Sequence, residues 1–470
     1  MTDLSAIDQF EFEPRMSDAD ALMWSIEKDP LLRSTITFVT FLDQAPDRDR
    51  FTRVMDRASR VVPRLRQRVL GHPYSIAPPR WEVDPNFDLA YHLRWMRTID
   101  DGTAREVFEI AEPIAMQGFD RARPLWEFTV VEGLADGKAA VIGKVHHAIT
   151  DGVGGVKLQM EMLDLERHPA VERDMPPEPL PHDLGEGRRM VDAVRYEAER
   201  QLGSMHGLVG SAIDRARRLA ADPVGVGVDA IRTGGSVVRL LSPATKPLSP
   251  LMVDRSLSVR FDMLQVPLGE LKGAARIVQG HLNDAFVGGV AGGLRLYHEH
   301  HGYTVDDLRM TMPINVRDAS TANRAGNQFV PARFPVPVGI DDPLRRMNAI
   351  RELVAQQRAE PALALSDPLA GLLNRLPVTA TTAVFGSMLK GVDFITSNVP
   401  GAPIPVFMAG AAVEAQVALG PMTGSACNVV LLSYQDDVNL GITMDPAAIP
   451  DHDVFVDCLR EGFAEITKLA

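Results

Sequence analysis

The sequence is poor in cysteine, and its acidic residues outnumber its basic ones. Of its 470 residues only Cys427 and Cys458 are cysteines, so a disulfide framework is excluded and no metal-type cysteine spacing exists. With 62 Asp and Glu against 49 Lys and Arg, the formal net charge is -13. This charge excludes nucleic-acid binding that rests on overall charge. Together these features predict a cytoplasmic protein with reduced thiols.

The sequence also lacks a long uninterrupted apolar run. The uncharged segment Leu376–Leu389 is too short to span a bilayer and contains Pro377, and the longer segment Ile395–Val413 is interrupted by prolines. The N-terminal segment is acidic and has neither a basic n-region nor an apolar h-region, so no signal peptide is predicted. Any contact with the inner membrane face or with lipid droplets is therefore expected to be peripheral.

The sequence does contain enough apolar material for two lobes. Apolar residues make up 45% of a chain that is too long for one typical domain. A segment rich in proline and charge, residues 167–187, is the clearest linker. We predict an N-terminal lobe at 1–170, a linker and helical connection at 171–255, and a C-terminal lobe at 256–470.

Both lobes mix helix and strand patterns, which predicts the α/β class of the α+β type. β-Branched and aromatic runs indicate strands, and apolar residues at helical spacing indicate helices. Strands are predicted at 35–42, 64–70, 126–132, 139–147 and 257–266, and near Met310, Phe334, Phe394 and 428–433. Helices are predicted at 17–27, 50–62, 156–165, 268–278 and 284–297, and along the segment that begins at Val194.

The sharpest local feature is the segment KVHHAITDGVGG, residues 144–155. Adjacent residues on a strand point to opposite faces of the sheet, so one of His146 and His147 should face a cleft while the other is packed or hydrogen-bonded. The same geometry disfavours a two-histidine metal site. A phosphate loop would need the Lys-Ser/Thr that DGVGG lacks. A pair of ordinary histidines at a strand end remains the alternative.

A histidine at the cleft would have acid–base chemistry. A neutral imidazole near its unperturbed pKa takes a proton from a hydroxyl at physiological pH. Asp151 is a candidate to orient that imidazole or to hold the loop, and Gly152 would keep the approach open because it has no side chain. The helix that starts near Gly154 is a candidate to aim its positive N-terminus at a reacting carbonyl or at phosphates.

These residues resemble the motif of a known superfamily. HHAITDG matches the HHxxxDG motif of coenzyme A-dependent acyltransferases, which include chloramphenicol acetyltransferase-like enzymes and the condensation domains of peptide synthetases. Further segments resemble the bacterial wax ester synthase/diacylglycerol acyltransferase family in order and spacing, and the resemblance covers nearly the whole chain. These segments are PLW at 124–126, WEVDPNFDLAYHLR from Trp81, LNDAFVGGV around Asn283 and Asp284, TMPINVRD, the pair Gly326 and Asn327, and TSNVPGAP.

The resemblance implies two chloramphenicol acetyltransferase-like lobes with mixed sheets and a tunnel at their interface. It implies transfer of a long-chain acyl group from acyl-CoA to the hydroxyl of diacylglycerol or a long-chain alcohol, giving triacylglycerol or wax ester. His147 would be the general base, and His146 and Asp151 would complete the catalytic motif. In the superfamily the motif aspartate is usually structural and paired with an arginine, for which Arg66 and Arg68 are candidates. No cofactor is implied, since acyl-CoA is a substrate, and no nucleophilic serine or cysteine is required.

Other motif residues have structural interpretations beside functional ones. Gly152, Asn283 and Asp284 are candidate substrate-binding residues, and Asn283 is also expected to be the N-cap of the helix that follows. Pro124 and Trp126 are expected in the core. Glycines are costly inside a helix, so four of them in the helix after Asn283 predict the close approach of another backbone or of a substrate. These are Gly288, Gly289, Gly292 and Gly293.

Two alternatives to this function stay open. A related HHxxxDG acyltransferase would use another acceptor, or a carrier-protein thioester as donor. A non-catalytic lipid-binding protein would keep the fold and contact lipid through the basic stretch Arg215–Arg218, which is equally explained as an ordinary solvated helix. Turnover of free acyl-CoA that depends on His147 would separate the first prediction from both alternatives.

Overall fold

The computed structural model describes residues 12–71, 77–149, 158–181, 185, 187–201, 244, 246–315, 329–360, 371, 374 and 378–470. Within this part of the chain, two six-stranded sheets and one two-stranded sheet form the framework. The strands are β1 (Thr35–Leu42), β2 (Gln67–Leu70), β3 (Arg80–Val83), β4 (Leu93–Arg97), β5 (Trp126–Glu132), β6 (Ala139–His146), β7 (Arg260–Pro267), β8 (Asp307–Asn315), β9 (Phe329–Pro337), β10 (Phe394–Val399), β11 (Phe407–Met408), β12 (Ala411–Leu419), β13 (Cys427–Tyr434) and β14 (Asp437–Met444).

Helices cover both sheets. They are α1 (Asp18–Ile26), α2 (Arg48–Val61), α3 (Leu89–His92), α4 (Ala104–Met116), α5 (Leu268–Ile277), α6 (Leu282–His300), α7 (Pro343–Arg358), α8 (Val378–Leu389) and α9 (His452–Thr467). Residues 158–162 and 187–201 are also helical. None of the helices among the described residues combines the length and the apolar character that crossing a bilayer would require.

The first sheet has the strand order β11-β12-β1-β6-β5-β4. β1 pairs antiparallel with β6 and β12, whereas β4 and β5 run parallel. Side chains alternate between the two faces, so Met55 of α2 packs on one face and Phe108 of α4 on the other. β11 and β12 come from the C-terminal half of the chain. The range 256–470 therefore supplies strands to both large sheets.

The second sheet has the order β7-β14-β13-β10-β8-β9. β10 runs parallel to β8 and β13, and the other neighbours are antiparallel. Both large sheets are thus mixed, and the predicted fold class is confirmed. α6 is buried on all sides from Asp284 to Leu294, as expected of a helix that is apolar around its whole circumference.

Close packing between α6 and α9 explains two of the four glycines of α6. A Cβ atom on Gly289 would lie 2.6 Å from the ring of Phe463, and one on Gly293 would lie 2.6 Å from the Cα atom of Leu459. The prediction that another backbone approaches this helix is confirmed, and the backbone is that of α9.

The predicted strand at 64–70 is only partly correct. Pro63–Arg66 forms a 3-10 turn, and pairing begins at Gln67. Proline fixes φ near the helical value and has no N–H for a strand ladder, so it starts this turn. The indole N–H of Trp126 donates to the Leu65 carbonyl at 2.7 Å and holds the turn against β5. Pro124 and Trp126 are both buried, so their predicted place in the core is confirmed.

Candidate active site

The two histidines of the motif lie where β6 ends. The His146 N–H donates to the Leu125 carbonyl at 3.0 Å, and the His147 N–H donates to the Ser34 carbonyl at 2.9 Å. The Ile149 N–H then returns to the His146 carbonyl at 2.9 Å. This last bond closes a turn, so the strand predicted to reach His147 ends one residue earlier. We call residues 146–149 the histidine turn.

The His146 side chain is buried and held at both ring nitrogens. Its Nδ1 accepts a hydrogen bond from the Ala148 N–H at 3.0 Å, so the proton of the neutral ring is on Nε2. Nε2 then donates to the Glu27 carboxylate at 2.8 Å. Trp24 and Phe119 meet the ring edge to face, at 5.4 and 6.2 Å between ring centres. His146 is therefore the packed and hydrogen-bonded member of the pair.

Glu27 connects α1 to the histidine turn. Its Oε1 accepts hydrogen bonds from His146 Nε2 and from the Ser34 N–H, each at 2.8 Å, and its Oε2 lies 3.6 Å from Arg121. Burial raises the pKa of Glu27, but the hydrogen bonds from His146 and the Ser34 N–H and the charge of Arg121 together outweigh burial. The resulting pKa lies below its ordinary value, so the group is a carboxylate at neutral pH.

The sequence does not single out Glu27, which is predicted only as the last residue of the first helix. It precedes His146 by 119 positions, so no local pattern joins the two. One signal was available. Glu27 is the C-cap of α1, where the helix dipole disfavours a negative charge, and an acidic residue there suggests a partner elsewhere.

His147 is half-buried in the turn that follows β6. Burial, together with the neighbouring His146, lowers the pKa of His147 from 6.5 to about 4. Its imidazole is therefore neutral at physiological pH, which is the form that takes a proton from a hydroxyl.

A groove between the two large sheets opens beside the histidine turn. Thr35, which pairs with His146 across β1 and β6, lines this groove together with Thr37. Phe261 and Thr443 line it from the second sheet. The residues of the histidine turn are not among those that line this groove, and a tunnel at the lobe interface stays a prediction.

The remaining residues of the motif lie outside the described part of the chain. These are Asp151 and Gly152, together with Gly154 at the expected helix start. The pairing of Asp151 with an arginine stays a prediction. The Arg66 guanidinium already contacts Ser59 at 3.0 Å, Asp56 at 2.6 Å and Glu178 at 2.8 Å.

Asn283 and Asp284 lie in the first turn of α6, in the second lobe. The N-cap is His281, so the prediction that Asn283 caps this helix is wrong. Asp284 takes the capping role from inside the helix, because its Oδ2 accepts the His281 N–H at 2.7 Å. The Asn283 amide lies 3.4 Å from the sulfur of Met312 in β8. A contact of either residue with substrate stays a prediction.

Both cysteines have thiols that stay protonated at neutral pH. Burial raises the pKa of Cys427 to about 12 and that of Cys458 to about 11. Protonated thiols are poor nucleophiles and poor metal ligands. Among the described residues, no three His, Cys, Asp or Glu side chains gather as metal ligands would.

Comparison with protein families gives two matches that together cover most of the chain. Residues 16–286 match the wax ester synthase/diacylglycerol acyltransferase catalytic domain. Residues 325–467 match the WS/DGAT C-terminal domain.

Individual relatives agree with these matches. A putative diacylglycerol O-acyltransferase of Mycobacterium tuberculosis is 39% identical over 461 residues, covering 97% of this chain and 93% of the relative. A probable diacylglycerol O-acyltransferase of the same organism is 25% identical over 439 residues, covering 91% of this chain and 89% of the relative.

Solved structures share the fold. The wax ester synthase/diacylglycerol acyltransferase from Marinobacter aquaeolei VT8 superposes with a TM-score of 0.60 at 19% identity, covering 96% of this chain and 98% of that one. The first condensation domain of the calcium-dependent antibiotic synthetase gives 0.59 at 18% identity, covering 98% and 97%. At these identities the likeness shows the fold alone, and it agrees with the predicted two-lobed architecture.

Proposed function

This chain belongs to the wax ester synthase/diacylglycerol acyltransferase family, and we propose that it transfers a long-chain acyl group from acyl-CoA to a lipid hydroxyl. The acceptor would be diacylglycerol or a long-chain alcohol, and the product triacylglycerol or wax ester. The relatives named as diacylglycerol O-acyltransferases support this substrate class.

The observation that carries the proposal is the state of His147. It lies on the histidine turn at the end of β6, and its lowered pKa keeps it neutral. As general base, it would take the proton of the acceptor hydroxyl while the oxygen attacks the thioester carbonyl. The tetrahedral oxyanion would collapse, breaking the carbon–sulfur bond, and the imidazolium would return its proton to the departing CoA thiolate.

Direct transfer needs no covalent acyl-enzyme. The second motif histidine supplies the base, and both cysteine thiols have raised pKa values that disfavour them as nucleophiles. We therefore propose a single transfer step in which both substrates are bound together. Asp151, Gly152, Asn283 and Asp284 remain our candidates for completing the site.

The decisive test is the release of CoA thiol from palmitoyl-CoA, with hexadecanol or dioleoylglycerol as acceptor. General-base catalysis contributes about 10²–10⁴-fold, so His147→Ala should lower the acceptor-dependent rate by that factor. His300→Ala is a matched control, because His300 is an exposed histidine at the end of α6. It should retain the rate of the parent.

Other outcomes would point elsewhere. A rate that survives in His147→Ala would rule out His147 as the base. If the folded parent were inactive with palmitoyl-CoA but active with an acyl carrier-protein thioester, the donor would be the carrier-protein class. If neither donor were turned over while lipid still bound, the chain would be a lipid-binding protein.

We also propose peripheral contact with a lipid surface, which would present the acceptor. Helix 187–201 supports this, because one of its faces holds it to the first lobe and another is open to solvent. Arg189 pairs with Glu82 at 3.0 Å, and Asp192 pairs with Arg15 at 2.6 Å. The exposed apolar side chains are Met190, Val191 and Val194.

A further inference from the structure

We propose that Glu27 is a positioning residue for acyl transfer: its carboxylate holds the histidine turn in place and stabilises the positive charge that forms on His147. This inference rests on the proposed function, because it requires His147 to act as the base.

One carboxylate oxygen of Glu27 contacts both groups that hold the histidine turn, the His146 ring and the Ser34 backbone. Glu27 Oε1 accepts from His146 Nε2 and from the Ser34 N–H at 2.8 Å each. Ser34 in turn accepts the His147 N–H on its carbonyl at 2.9 Å. Glu27 is therefore hydrogen-bonded directly to the His146 ring, and it is linked to the His147 backbone through Ser34.

The location of Glu27 is costly for stability, which argues for a functional role. The group is desolvated, and it stands at the negative end of the α1 dipole. Among the described residues, the guanidinium near it is that of Arg121, 3.6 Å away on a half-exposed side chain, so the ion pair is strongly screened. A carboxylate serving only to hold α1 would be better placed at the helix N-terminus.

The negative charge of Glu27 would stabilise a charge that forms during the reaction. When His147 takes the acceptor proton, an imidazolium forms in a site whose burial disfavours positive charge. Among the described groups around it, Glu27 favours that charge. A fixed anion that meets charge only as it develops lowers the barrier without tightening substrate binding.

The test uses Glu27→Gln, which keeps an oxygen acceptor but removes the charge, and Glu27→Ala, which removes both. The control is Asp18→Asn, at the other end of α1. This change breaks the ion pair between Asp18 and Arg200, at 2.7 Å, and touches neither histidine. kcat and KM for palmitoyl-CoA and hexadecanol are measured on the full chain, together with the melting temperature.

Glu27→Gln should lower kcat by about tenfold with KM within about twofold of the parent, and Glu27→Ala should lower kcat by about 10²-fold. Asp18→Asn should keep the parent kcat even if its melting temperature falls as far as that of the Glu27 variants. If Glu27→Gln kept the parent kcat, or lost only thermal stability as the control does, the inference would be overturned. Its failure is distinct from failure of the proposed function, because His147→Ala would then still be inactive. If Glu27→Ala does not fold, Glu27→Gln still decides.

Discussion

The two neighbouring histidines differ because only one of them belongs to the strand. His146 continues the alternation of β6, so its ring points to the face covered by α4 and meets Phe119 and Trp24. His147 is the first residue of the turn and is held through its backbone by Ser34. Its ring does not take part in the alternation of β6, and it is still buried enough to stay neutral. One hydrogen bond from the Ile149 N–H, which ends the strand, thus separates the packed histidine from the proposed base.

The lowered pKa of His147 predicts an unusual pH dependence. A general base works only when unprotonated, and a pKa of about 4 keeps His147 neutral well below the ordinary value of 6.5. The acid limb of log kcat/KM should therefore be flat from pH 7 to about 5 and turn down near pH 4. Glu27 also has a pKa below its ordinary value.

This profile is measured by thiol release, with circular dichroism at each pH to confirm that the chain stays folded. A downturn centred near pH 6.5 would contradict the desolvated state of His147. The slow variant His147→Ala should lack the limb altogether.

At the scale of elements, helix α6 shows why glycine, a poor helix former, can be required inside a helix. Glycine costs about 1 kcal/mol against alanine in a helix interior. Gly289 and Gly293 nevertheless suit this helix, because the Phe463 ring and the Leu459 backbone of α9 occupy the space of their missing side chains. Closer approach of the two helices offsets the intrinsic cost through buried contact.

Gly293→Ala should lower the free energy of unfolding by about 1–3 kcal/mol, despite alanine's better helix propensity. The added Cβ would meet the backbone of Leu459, which cannot rotate away as a side chain can. Urea denaturation measures the change. Gly269→Ala, in α5 where no atom lies within 4 Å of the added Cβ, should leave stability equal or slightly higher. Equal stability of both variants would show that α9 moves aside easily.

At the scale of the whole molecule, the C-terminal half of the chain contributes a strand to the sheet of the first lobe. β12 of the C-terminal half pairs with β1 in the first sheet and also packs against β14 of the second. The approach is close: a Cβ on Gly441 of β14 would overlap the Ala418 carbonyl of β12. This contact ties the two sheets together beside the groove, which Leu419 of β12 and Thr443 of β14 line.

The exposed apolar face of helix 187–201 predicts reversible binding to lipid. Met190, Val191 and Val194 are 65%, 69% and 58% exposed, and burying them in an interface would favour binding. The parent should sediment with phosphatidylcholine vesicles that contain dioleoylglycerol, and a triple serine variant at these positions should bind several-fold less. The net charge of -13 predicts weaker binding to vesicles rich in anionic lipid. Binding unaffected by the triple change would assign the contact to another surface.

Local patterns were sufficient wherever neighbouring residues in the sequence decide the structure. β1, β5, the start of α1 at its Ser17 cap and the burial of Trp126 all follow from periodicity, capping and side-chain type. The N-cap of α6 was misassigned to Asn283 because His281 and Asp284 form a reciprocal cap that the preference for asparagine does not reveal.

The sequence by itself determined the two-lobed α/β class, the family and the second motif histidine, because these depend on residue types at fixed local spacing. Only the tertiary structure decided that β12 completes the first sheet and that Glu27 meets His146. The physical reason is the same in each case. Strand partners, desolvation and buried hydrogen bonds arise between residues more than a hundred positions apart, and no local pattern records which distant segment supplies them.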